Sequence, residues 1–201
     1  MFKWKKLGKV FTPQDVAGRS WLKEFAQAPC ALIFDRFVRI YFSCRPRADD
    51  NGQYVSYSAY VDVDRADPTK VLDVSARPIL ELGALGEFDE FGTYPVSVAR
   101  SGREVRAYYG GWTRCESVPF NVAIGFATSQ DEGRTFTKAG KGPVLPLSRH
   151  HCITFSAQGG DGTGPRERRR YSRQCHHDPS PWELRLRLVL PVAPVTPAGA
   201  R

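Results

Sequence analysis

The chain has 201 residues, a formal net charge of +8, 41% hydrophobic and 25% charged residues, and a mean hydropathy of −0.39. That balance fits one soluble domain or a little more, and no apolar run approaches the roughly eighteen residues of a membrane span. Met1 to Lys9 is basic with no apolar stretch behind it, so the expectation is an unexported, cytoplasmic protein.

The charge is unevenly placed. Nine of the 29 basic residues but only four of the 21 acidic ones lie in 149–201, which leaves a weakly basic body and argues against nucleic acid as the partner. The five cysteines, at 30, 44, 115, 152 and 175, are odd in number and favour free thiols over a disulfide framework. Two mirrored groups, His150-His151-Cys152 and Cys175-His176-His177, lack zinc-type spacing, so no metal and no cofactor is expected.

In chain order, Ala31 to Asp35 and Phe37 to Ser43 predict a hairpin turning at Asp35-Arg36, because two β-rich runs flank a short polar corner. Tyr54 to Asp64 predicts a third strand, alternating Val55, Tyr57, Ala59 and Val61 with Ser56, Ser58, Tyr60 and Asp62. Val71 to Val74 is a weaker fourth. The scheme then starts again with Val96 to Ala99, a turn at Ser101-Gly102, Val105 to Tyr109, and Val122 to Thr128.

These two sets are copies. Val38-Arg39-Ile40-Tyr41-Phe42 recurs as Val105-Arg106-Ala107-Tyr108-Tyr109 after 67 residues, and Tyr54 to Tyr57 is matched by Asn121 to Ile124 at the same interval. Glu24-x4-Pro29 and Glu90-x4-Pro95 are 66 apart, and Pro78-Ile79-Leu80 and Pro143-Val144-Leu145 are 65 apart. All-strand units repeating at this period predict an all-β fold, a partial β-propeller of about two blades, spanning about 24–80 and 88–148. Within the second, Ser129-Gln130-Asp131-Glu132-Gly133-Arg134-Thr135-Phe136 fits the Asp-box pattern S-x-D-x-G-x-T-[FW]. There an Asp carboxylate accepts backbone N–H groups, Gly takes a positive φ, and the aromatic packs beneath. That motif speaks to architecture, not to catalysis.

A third unit is due near residue 160 and does not come. All eight Lys precede residue 142, all four His follow 149, and beyond 148 the chain is rich in Arg, Pro, Gly and Ala. Those four residues have GC-rich codons, so the shift is what out-of-frame translation of a GC-rich gene yields. A natural disordered basic tail over 149–201 is the competing expectation.

Residues 24–148 resemble bacterial five-bladed propeller proteins related to glycoside hydrolase families 43 and 32, of the type found among polysaccharide-synthesis genes. The resemblance is carried by Glu24–Pro29, Phe37–Arg45, Glu81–Gly92, Tyr108–Arg114 and Gly140–Leu145. It implies a protein acting on glycosidic bonds through carboxylates around a central channel. One serves as base or nucleophile, one donates a proton to the leaving oxygen, and a third orients the sugar and tunes the donor.

The candidate carboxylates are Glu24 and the pair Asp89 and Glu90, each five or six residues before the Pro that leads into an innermost strand. The plainer alternative is that Asp89 and Glu90 cap a turn and Glu24 is solvated. Trp112 suits stacking on a sugar face, and Arg45 and Arg114, ending corresponding strands, suit hydroxyls, carboxylates or phosphate; Gln27 and Tyr94 are weaker candidates for the same rim. Core packing and surface solvation compete with these roles.

A third-blade acid has no replacement in the tail. Glu167 sits among arginines and Glu183 lies outside the repeat register, so the chain itself is expected to be inactive. Two rivals stand beside glycoside hydrolysis: a non-catalytic glycan-binding or scaffold propeller, and a glycoside phosphorylase. Two blades alone would also leave two broad apolar faces open to self-association.

Overall fold

The computed structural model describes residues 7–146, which belong to one compact unit, Met1–Thr154. The altered composition from 149 onward, both His/Cys groups, Glu167 and Glu183 lie outside the described residues. Among the described residues no helix is long and apolar enough to cross a membrane.

The fold is nearly all β: two four-stranded sheets in which every neighbouring pair is antiparallel. The first runs β1 (Glu24–Ile33), β2 (Phe37–Arg45), β3 (Tyr57–Asp64) and β4 (Val71–Val74), in that spatial order. The second repeats it with β5 (Gly92–Ser101), β6 (Glu104–Arg114), β7 (Phe120–Ser129) and β8 (Thr137–Lys138). The hairpin closes at Asp35-Arg36, where the Phe34 N–H donates to the Phe37 carbonyl at 2.9 Å.

Two boundaries differ from the sequence pattern, each for a reason in the hydrogen bonding. Tyr54 and Val55 lie outside β3 because the backbone of Ser56 turns to the other sheet: its N–H donates to the Phe91 carbonyl (3.0 Å) and its carbonyl accepts from Thr93 (3.0 Å). β1 starts earlier than its apolar run, since two register shifts carry the ladder back to Gln27 opposite Ser43 and Glu24 opposite Arg45.

Alternation sorts the first sheet into two faces. Phe42, Cys44, Ala59, Val61 and Val63 point one way into a core that also contains Leu22 and is packed by Val10, Phe11, Val16 and Trp21. The segment before β1 therefore covers this face, with a 3-10 turn at Pro13–Asp15. This corrects the expectation of two open apolar faces: one of them is closed by the chain's own N-terminal residues. Burial in that core pushes the Cys44 thiol up to about 12, leaving it a packing group, and Cys30, Cys44 and Cys115 are all free.

Arg39, Tyr41, Tyr60 and Asp62 point the other way, toward the second sheet. Tyr41, Tyr60, Ile79, Leu80, Tyr109 and Ala127 form the core between the sheets, with Phe88, Val98 and Phe136 against it. Hydroxyls join the sheets where Ser58 Oγ meets Thr93 Oγ1 at 3.1 Å. The turn after β7 is gripped from the first sheet: Arg39 Nη1 donates to the Glu132 carbonyl (2.9 Å), and the Tyr41 hydroxyl to the Gly133 carbonyl (3.0 Å). Arg39 is itself held bidentate by Asp62, Nε to Oδ1 at 2.7 Å and Nη2 to Oδ2 at 2.6 Å, with its guanidinium 4.1 Å from the Tyr60 ring centre.

Candidate functional site

The two bulges of β1 flank Gln27, the first of them next to Glu24, and they set Phe25 and Ala28 at φ of 63° and 51°, values that non-glycine residues seldom adopt. The strand is bent where it meets the segment before it. A cleft of about 400 Å³ opens there, bordered by Glu24, Phe25 and Ala26 on one side and by Lys9, Pro13 and Gln14 on the other.

Behind Glu24 lies a connected set of aromatic and basic groups. The Tyr54 hydroxyl donates to Glu24 Oε2 at 3.0 Å, and that bond raises the phenol above its ordinary range, so Tyr54 stays a donor at neutral pH. Arg45, across the ladder from Glu24, is clamped between the Phe25 and Tyr54 rings, 5.1 and 5.3 Å from their centres. Its Nε is buried with no hydrogen-bond partner.

Arg114, at the end of β6, donates through Nη2 to the Tyr54 carbonyl (3.0 Å) and lies 4.1 Å from the Phe91 ring centre. Trp112 completes the row at 6.1 Å from Phe91 and 6.3 Å from Phe120. It lies over Gly92, where an added Cβ would run into the indole. Of the predicted residues, Glu24, Arg45, Arg114 and Trp112 are thus joined, through Tyr54 and Phe91, along one end of the two sheets. Tyr54 and Phe91 were missed by sequence reasoning. Their signal was slight: Tyr54 reads as the first residue of an alternating strand, and Phe91 as part of a turn.

The other candidates lie elsewhere. Asp89 is 0% exposed, and its Oδ2 pairs with Lys138 at 2.6 Å and accepts from the Tyr109 hydroxyl at 3.1 Å. It sits under the second sheet instead of at an open rim, because Gly111 and Gly83 leave the space that a Cβ at either would take from it. Burial, then the charge and hydrogen bond of Asp89, push the Tyr109 phenol far up, so Tyr109 keeps its proton and stays a donor to Asp89. Glu90 accepts the Gly86 N–H at 2.9 Å, in keeping with the turn-capping alternative. Gln27 is exposed between the two bulges, and Tyr94 is buried with its ring against Gly110. The three candidate carboxylates therefore do not converge among the described residues, and Glu24 alone borders a cleft.

The turn at 129–136 is built on its own side chains. Asp131 Oδ1 accepts from Arg134 N (3.0 Å), Thr135 N (2.9 Å) and the Ser129 hydroxyl (2.6 Å), while Oδ2 accepts from Thr135 Oγ1 (2.6 Å). Gly133 takes φ of 80°, and Phe136 packs edge-on to Tyr41 at 5.9 Å.

No family model matches the chain. It is 36% identical over 154 residues to uncharacterized proteins of Mycobacterium tuberculosis strains CDC 1551 and H37Rv, covering 76% of this chain and 49% of theirs. The chain thus spans about half the length of these relatives. Among solved structures it superposes on a family 117 glycoside hydrolase of the marine bacterium Zobellia galactanivorans with a TM-score of 0.55 and 17% identity, over 71% of this chain and 39% of that one. The two sheets therefore carry a glycoside-hydrolase-like fold.

Proposed function

We propose that this is a carbohydrate-active protein of glycoside-hydrolase type, whose sheets are two blades of a five-bladed propeller and whose turn at 129–136 is an Asp-box. Fold alone does not carry a function. The observation that does is Glu24, set on a bent strand at a cleft, with an aromatic and arginine row beside it. A carboxylate flanked by ring faces and guanidinium groups is what sugar binding and acid–base work on a glycosidic bond require. In this reading Glu24 exchanges the proton, Trp112 and Phe25 offer stacking faces, and Arg45 and Arg114 hold polar substituents. Asp89 and Glu90 act on the fold around them, Asp89 by fixing Tyr109 and Lys138.

The rival with support is a glycan-binding protein without turnover, favoured by Glu24 being the one carboxylate among the described residues that line the cleft. Release of reducing sugar, or of sugar phosphate in the presence of inorganic phosphate, from a panel of oligosaccharides separates the readings. In a Mycobacterium tuberculosis relative, the change equivalent to Glu24→Gln is expected to lower kcat about a hundredfold or more while leaving binding in place. Turnover that survives the substitution removes Glu24 from the chemistry. Binding without turnover in the parent proteins supports the glycan-binding reading.

A further inference from the structure

We infer that the row beside Glu24 is built for an anionic sugar, one whose oxyanion, a ring carboxylate or a phosphate, lies between Arg45 and Arg114. The inference rests on the carbohydrate reading and narrows it to a substrate class.

The distinction lies in pairing and burial together, since Arg36, Arg47, Arg65, Arg77, Arg100 and Arg103 lack ion pairs but are exposed, and half-buried Arg19 donates to the Val74 carbonyl at 3.2 Å. Arg39, Arg106 and Arg134 each carry a carboxylate, Asp62, Glu104 and Asp73 respectively. Arg45 and Arg114 form no ion pair among the described residues, although both are half-buried. Arg45 is held by ring faces on Phe25 and Tyr54, and its buried Nε has no acceptor. Arg114 is held by the Phe91 face and by one bond to the Tyr54 carbonyl.

Clamping by rings fixes the plane of a guanidinium and strips water from its faces while leaving its edge donors unspent. Partial burial of a charge without a counter-charge is costly, and a ligand oxyanion removes that cost by accepting charge-assisted hydrogen bonds. Both arginines are anchored on one residue, Tyr54, which sets their spacing. Glu24, opposite Arg45 on the ladder, accepts from the Tyr54 hydroxyl and forms no ion pair with either arginine, so it does not take the place of the ligand's anion. A neutral sugar would leave these donors without a charged acceptor.

The test is calorimetric titration of the full chain with three probes: a hexuronate tetrasaccharide, a neutral tetrasaccharide of the same linkage, and inorganic phosphate. The acidic glycan is expected to bind at least about tenfold more tightly than the neutral one, and Arg45→Gln or Arg114→Gln to lower its affinity about tenfold and that of the neutral glycan by less, so that the preference narrows. Arg106→Gln, equal in charge change and remote in the second sheet, is expected to do neither. Phosphate that binds alone, and whose binding is lost in the same two variants, assigns the oxyanion to phosphate; a preference for the uronate with no phosphate binding assigns it to the sugar.

Equal affinity for acidic and neutral glycans overturns the inference and leaves the carbohydrate reading intact. Binding of none of the three probes overturns both. If a Gln variant fails to fold, Arg114→Lys and the wild-type preference over salt decide: a preference that vanishes in a variant with Arg166, Arg168, Arg169 and Arg170 all changed to Gln belongs to the basic C-terminal stretch and also overturns it.

Discussion

Arg39-x-Tyr41 on β2 and Arg106-x-Tyr108 on β6 are the same pair 67 residues apart, and the molecule treats them in opposite ways. The first pair is buried, and both members donate to carbonyls of the turn after β7. The second pair faces away from the first sheet: Arg106 is 54% exposed and bonded to Glu104, and Tyr108 is 48% exposed with its ring tilted against Phe126 at 5.2 Å. No described residue covers that face. The lesson is that a repeat in sequence fixes which side chains a face presents, while its energetic weight depends on whether another unit lies against it. The relatives, of which this chain spans about half, have further chain in which a matching unit can lie.

The largest expected difference follows from that contrast. Asp62→Ala leaves the buried Arg39 without its counter-charge and loosens the turn that Arg39 holds, at a cost of about 3–5 kcal/mol. Glu104→Ala removes the equivalent exposed pair and is expected to cost less than about 1 kcal/mol. Urea unfolding of the two variants measures both, and equal losses would erase the distinction between closed and open pair.

Next in size are the outer faces. Leu22 is fully buried where the N-terminal segment seals the first sheet, so Leu22→Ala is expected to cost about 2–5 kcal/mol. Leu145, bridged to Ile124 on the second sheet and 52% exposed, is expected to change stability by less than about 0.5 kcal/mol when replaced by Ala. A large loss at Leu145 would mean that something outside residues 7–146 packs on that face.

How much of this was legible beforehand depends on what holds each element. The strand order, the hairpin at Asp35-Arg36 and the turn at Gly133 were readable because alternation, β-branched runs and turn residues act locally. The coverage of the first sheet by Val10, Phe11 and Leu22 was not, because those residues precede any periodic pattern. Nor was the burial of Asp89. Its spacing to Pro95 matches that of Glu24 to Pro29 to within a residue, yet Gly111 and Gly83 admit it beneath the sheet, where Lys138 meets it. Trp112, Arg45 and Arg114 were legible as candidates at strand ends, but not what joins them: Phe91, and Tyr54, drawn out of its strand by the bonds of Ser56 to Phe91 and Thr93.

The smallest difference concerns two aspartates at matching turns, Asp64 at the end of β3 and Asp131 just after β7, again 67 apart. Backbone N–H groups of Asp67 and Ala66 hold the Asp64 carboxyl below its usual range. At Asp131 partial burial pushes upward, but the bonds from Ser129, Thr135 and Arg134 outweigh it and hold that carboxyl low as well. A carboxyl depressed in the folded state stabilises fully above its unfolded value of about 3.9, and that contribution is lost as pH falls through the lower folded value. Both residues therefore add to acid unfolding below about pH 4. Asp131 shares its turn with the carbonyls that Arg39 and Tyr41 grip, whereas Asp64 closes a turn that is exposed. Asp131→Asn is accordingly expected to flatten the acid limb of stability against pH more than Asp64→Asn does, with both variants close to wild type in slope at neutral pH. An Asp64 variant that flattens the limb as much would show that grip by the neighbouring sheet adds nothing to what each turn achieves alone.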